Sequence, residues 1–208
     1  MKIYIENQIL EYENNKDEID NILNEIDTII AKSSKVLSHI VVDEYEVFED
    51  YYGYFLDNIR VIDKVEVISS TYKELVDDIL NSALEYLERT PELIDNLANS
   101  FYKNPNQESW KDLEDLLGGI SWVINTFSFI DQDERLKDVV LSYKDWNLYA
   151  KEVFSLKSIL GDFEDSLSNG DNVSIADILS YEIATIFKEM ATKLLNLVNK
   201  NDSSSNLN

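Results

Sequence analysis

Cysteine is absent from all 208 residues. Its absence excludes disulfides, thiolate nucleophiles, zinc–thiolate sites and iron–sulfur clusters. A chain of this kind suits a reducing compartment, and a cytoplasmic location is expected. Only five glycines and two prolines occur. That is too few turn residues for a fold of many short strands, so long helices are expected. There is a single histidine, His39, which rules out helical di-iron sites built on two Glu-x-x-His motifs. No Gly-x-Ser-x-Gly elbow and no glycine-rich phosphate loop is present. Long apolar runs are missing too. The least polar stretch, GGISWVINTFSFI at 118–130, carries Ser, Asn and Thr, and crossing a bilayer takes about 20 apolar residues. The opening MKIYIENQILEYE lacks a basic region followed by an apolar run, so no signal peptide and no membrane association are expected.

Positive charge is scarce: 18 basic residues stand against 41 acidic ones, a net charge of −23. Such a surface repels phosphate backbones, so no direct nucleic-acid contact is expected, and anionic membranes are disfavoured for the same reason. A basic partner would be steered in. The acids are spread over every segment, the distribution of a chain kept soluble by its charge.

What is present is periodicity. Residues 2–13 alternate weakly around Asn7-Gln8, which predicts a hairpin with Asn7 supplying the positive φ. Ile19, Ile22, Leu23, Ile26, Ile29 and Ile30 form one apolar stripe on a helix over about residues 16–32. KVLSHIVV and KVEVIS read as strands. Between them Phe48, Tyr51, Tyr52, Phe55 and Leu56 recur at three and four, the buried stripe of a short helix. Residues 1–70 thus run strand, strand, helix, strand, short helix, strand, an order that resembles β-grasp, ubiquitin-like domains. The segment continues into STYKELV instead of ending in a free Gly-Gly, so conjugation chemistry does not follow from the resemblance.

From residue 71 the pattern is helical. One helix ends near Arg89, and Thr90 with Pro91 reads as the cap and first residue of the next. A third helix carries Trp110, Leu113, Leu117, Ile120, Ile124 and Phe127; in it Gly118-Gly119 implies either close approach of another helix, the favoured reading, or a break at Leu117. A long fourth runs from about Asp133 to Leu167 and stops at Asn169-Gly170. Ser174 and Asp177 open the last, which runs to about Asn199. The fold class is α+β, mostly α: an α+β part over 1–70, a bundle of antiparallel helices over 71–200, and a disordered tail over 201–208. The last two helices, of about 35 and 25 residues, would be roughly 50 and 38 Å long, and that length favours a homodimer through them. The segment NVSIADILSYEIATIFKEM, together with the opening IYI, resembles uncharacterised acidic, mostly helical proteins of Gram-positive bacteria. That resemblance implies no activity.

Candidate sites are few. DSLSNGDNVSIA at 165–176 has Gly at the sixth position of a calcium loop but Ala at the twelfth, where the bidentate Glu belongs. No metal and no cofactor is expected. His39 lies on a strand with no partner motif. Tyr45 and Tyr54 fall off the stripe of the short helix, and with Glu49 and Asp50 they form a candidate docking rim for a basic partner. Asp177, Tyr181 and Glu182 form a second candidate cluster: Tyr181 lies one turn after Asp177, and Glu182 falls where the stripe should be apolar. The function expected is that of a non-enzymatic adaptor, regulator or chaperone acting through an acidic, tyrosine-bearing surface. The alternatives are a DNA mimic, which needs carboxylates in rows, and an enzyme, which needs a pocket of perturbed carboxylates.

Overall fold

The computed structural model describes residues 1–140 and 142–205, with side chains through Val198 apart from residue 141. The chain divides into two compact units, Met1–Leu75 and Val76–Asn208. The first is α+β and the second helical.

In the first unit the strands are β1 (Lys2–Ile5), β2 (Gln8–Glu11), β3 (Val36–Val42), β4 (Tyr45–Val47) and β5 (Lys64–Ser70), with helices α1 (Ile19–Lys32) and α2 (Tyr51–Asn58). The sheet order is β2-β1-β5-β3-β4, with β1 and β5 parallel and the other pairs antiparallel. Ile19, Ile22, Ile26 and Ile30 of α1 share one core with Ile3, Ile5, Ile40, Val42, Val65 and Val67. These strand residues alternate, so they lie on one face of the sheet. This mixed sheet with its single long helix is β-grasp-like.

Three details differ from expectation. Strand β4 was not foreseen, because it is three residues long and enters through the two-residue turn Asp43-Glu44, with φ of 45° and 77°. Turns of that hand favour Asn-Gly. Here the Asp43 carboxylate holds the turn, accepting the backbone N–H groups of Asp63 (3.1 Å) and Lys64 (2.8 Å). In the first hairpin the positive φ falls on Glu6, not Asn7; the Glu6 side chain is tied to Lys35 (3.1 Å) and Ser69 (2.5 Å). The expected stripe of α2 also shortens. Asp50, left-handed at φ 46°, starts the helix late. Phe48 therefore stays outside it, exposed and stacked on His39 at 4.8 Å. Tyr52 is exposed as well, and Phe55 alone of the stripe is fully buried.

The second unit contains α3 (Tyr72–Lys103), whose first turn straddles the division, then α4 (Gln107–Asp131), the short α5 (Leu136–Val139), α6 (Tyr143–Asn169), α7 (Asn172–Asp177), a π-helical stretch (Ile178–Ile183) and α8 (Ala184–Ser205). Ring contacts trace the packing. Phe101 of α3 meets Trp110 of α4, Phe127 of α4 meets Trp146 and Tyr149 of α6, and Tyr86 of α3 meets Phe187 of α8. The ion pair of Glu152 with Lys193 (2.7 Å) joins α6 to α8 and closes a four-helix bundle.

Here too local signals were overridden. Thr90 and Pro91 do not start a helix; both are buried inside the continuous α3. Proline cannot bond the carbonyl four residues back and costs about 3 kcal/mol in a helix interior. The apolar stripe through Leu80, Ala83, Leu87, Ile94, Leu97 and Phe101 is buried on both sides of it, and that burial outweighs the cost. The expected helix from Asp133 to Leu167 is broken. Val140 is extended, and the Ser142 hydroxyl accepts the Asp145 N–H (3.3 Å) to begin α6 afresh. At 27 residues α6 is shorter than the 35 on which a homodimer was argued, and it packs against α8 within its own bundle. Gly170 caps α6 at φ 67°, as foreseen, but the next helix is capped by Asp171 and not by Ser174. Of the expected tail, residues 206–208 lie outside the described residues, and α8 extends to Ser205.

Candidate functional site

The two residue groups singled out in the sequence fare differently. In the N-terminal unit Tyr45 is 72% exposed on β4 and Glu49 is exposed. Asp50 is committed to capping α2, accepting the Gly53 N–H at 3.1 Å. Tyr54 turns inward and packs against the edge of the core.

Asp177 and Tyr181 do come together, and a third residue joins them. Tyr102, in the last turn of α3, donates its phenol proton to Asp177 Oδ1. Tyr181, in the π-helical stretch, brings a second phenol beside Tyr102. One turn away Ser180 Oγ lies 3.4 Å from Asp95 Oδ1, and Lys188 Nζ lies 3.9 Å from Asp95 Oδ2. Two exposed tyrosines thus flank a carboxylate, with a second carboxylate nearby. The site exists because α3 and the α7–α8 segment are antiparallel neighbours in the bundle, and because a π stretch widens one turn there. Such stretches are rare and recur at functional sites. Glu182 is exposed and needs no buried partner. Tyr102 escapes sequence reasoning because it lies 75 residues before Asp177 and off the apolar stripe of its own helix.

The Asp177 carboxylate, then partial desolvation, hold the Tyr102 hydroxyl well above the usual phenol range. A raised pKa means the folded state favours the protonated phenol. That contribution is complete below the unfolded value, about 10, and is lost as pH rises through the folded one. Tyr12, pushed up to about 12 by burial and its bond to Glu25, and Tyr149, raised by burial, also ionise late. Asp177→Asn is expected to return one additional tyrosine to ordinary titration in an alkaline phenolate-absorbance scan. An unchanged count of late tyrosines would contradict the Tyr102–Asp177 bond.

Other chemistry is sparse. His39 Nδ1 lies 3.1 Å from Ser38 Oγ, and the ring stacks on Phe48. Among the described residues no three His, Asp or Glu side chains converge as metal ligands, and no helix is long and apolar enough to cross a membrane.

Comparison with known proteins returns two family matches. Residues 78–193 match a family described as domain of unknown function DUF8042, and residues 1–71 match one described as the TP0873 N-terminal domain. No curated protein and no solved structure matches.

Proposed function

The chain belongs to the DUF8042 family, and from that premise we propose a non-enzymatic interaction protein of the cytoplasm that captures a basic partner protein through an acidic, tyrosine-bearing surface. The observation that carries this reading is the grouping of Tyr102, Asp177 and Tyr181 beside Asp95. A guanidinium or ammonium group is held by a carboxylate and by the faces of tyrosine rings at once. Tyrosines supply contact area at low entropic cost, since only two side-chain angles need fixing. The net charge of −23 adds long-range steering toward a basic protein and weakens with salt.

The test is affinity capture from native lysate at low salt. Wild-type protein is compared with Asp95→Asn/Asp177→Asn and with Asp162→Asn/Glu164→Gln, which removes two exposed charges elsewhere on α6. Specific proteins recovered by the wild type and the α6 variant, but lost with the first variant, are the expected result. Equal recovery by all three, or no specific recovery at all, would sink the reading.

A further inference from the structure

Between α3 and α4 lies a cleft of about 510 Å³ whose apolar lining is Leu93, Ile94, Leu97 and Leu116. A second depression, of about 460 Å³, adjoins it along the same two helices beside Gly118, Gly119 and Trp122, and the two share Tyr86 and Arg89. Together they form a trough reaching from Ser82 to Ser100 along α3, about 27 Å at the helical rise. Leu93 is 62% exposed, and Trp122 is partly exposed. A large aliphatic side chain held out of the core at the mouth of a trough is an anchor point. The walls are charged unevenly. Asp112, Asp115 and Glu85 line the trough against one cation, Arg89, which lies over the Tyr86 ring at 5.8 Å.

We propose that this trough seats an amphipathic helix with basic flanks, contributed by a partner protein. Its length exceeds the needs of a small molecule and matches about 18 residues of helix. The apolar lining suits the i, i+3, i+4, i+7 side chains of such a helix. The excess of carboxylate over guanidinium along the walls selects Lys and Arg at its edges. A second copy of this chain, itself strongly acidic, is disfavoured by the same charges. The trough is a different surface from the Asp95–Asp177 site, and the two can succeed or fail separately.

The probe is a fluorescein-labelled synthetic helix of Leu and Lys, about 18 residues long, read by anisotropy against a Leu/Glu peptide of identical spacing. The Leu/Lys peptide binds and the Leu/Glu peptide does not. Leu93→Ser, an exposed position whose folding is checked by circular dichroism, weakens binding about tenfold, the loss expected for one apolar anchor. Asp112→Asn/Asp115→Asn weakens it several-fold and flattens its salt dependence, while Asp95→Asn/Asp177→Asn leaves it unchanged. Three results overturn the proposal: no binding to the wild type, equal binding of both peptides, or affinity untouched by Leu93→Ser. If affinity falls only in the Asp95→Asn/Asp177→Asn variant, the peptide sits on the tyrosine site; the trough proposal then fails while the interaction reading stands.

Discussion

Trp146→Ala is expected to cost about 3–5 kcal/mol of stability, the range for truncating a fully buried large aromatic side chain. The indole is 1% exposed. Its ring stacks on Phe127 at 5.3 Å with 19° between planes and tilts against Tyr149 at 5.8 Å. Its N–H donates to Asp131 at 2.8 Å, tying the start of α6 to the end of α4 across the connection that carries α5. Truncation removes the buried area, opens a cavity and frees two aromatic neighbours at once. Domains are stable by only about 5–15 kcal/mol, so the loss is a large share of the total. Trp146→Phe separates the contributions. It keeps a ring on Phe127 but loses the bond to Asp131, whose exposed carboxylate turns to water, so its cost should be about 1–2 kcal/mol. Urea unfolding followed by far-UV circular dichroism measures both. A loss below about 1 kcal/mol for the alanine variant would mean that this aromatic cluster is not the core of the bundle.

Gly119→Ala and Gly118→Ala should change stability in opposite directions. A Cβ on Gly119 would lie 1.8 Å from the Tyr86 hydroxyl oxygen and 2.3 Å from Cζ. Trp122 and Phe187 contact the Tyr86 ring edge-on at 6.1 and 6.0 Å, so a shift that makes room for the methyl disturbs both contacts. Overpacking of this kind costs about 1–3 kcal/mol. At Gly118 nothing lies within 4 Å of the added methyl, and alanine gains about 1 kcal/mol in helix propensity. The decisive comparison is Gly119→Ala in a Tyr86→Ala background. With the ring gone, the same substitution should become stabilising by about 1 kcal/mol, like its neighbour. A Gly119→Ala variant as stable as Gly118→Ala in the wild-type background would contradict the seating of the Tyr86 ring against Gly119.

The long helical stretches were visible in the chain because an apolar stripe is a local property. Ile19 to Ile30 and Leu80 to Phe101 repeat at three and four, since burying one face of a helix demands it. The two strands richest in β-branched residues and the left-handed Gly170 were legible for equally local reasons. Gly119 was legible in part, since two glycines inside an apolar helix imply a near neighbour without naming Tyr86.

Where a local signal met a stronger distant one, the chain misled. Thr90-Pro91 has the form of a helix start, yet the stripe on either side is buried as one surface. Phe48 and Tyr52 keep the spacing of a core stripe, yet the left-handed Asp50 moves the start of α2 and leaves both outside. The Asp177–Tyr181 pair was in view from its spacing, but Tyr102, Asp95 and the trough along α3 and α4 were not. The sequence by itself determined where apolar stripes recur and which stretches would coil, because those depend on neighbours within about one helical turn. Which faces meet was decided only in the tertiary structure, because a contact between residues 75 apart is stabilised by packing that exists only once the bundle has formed.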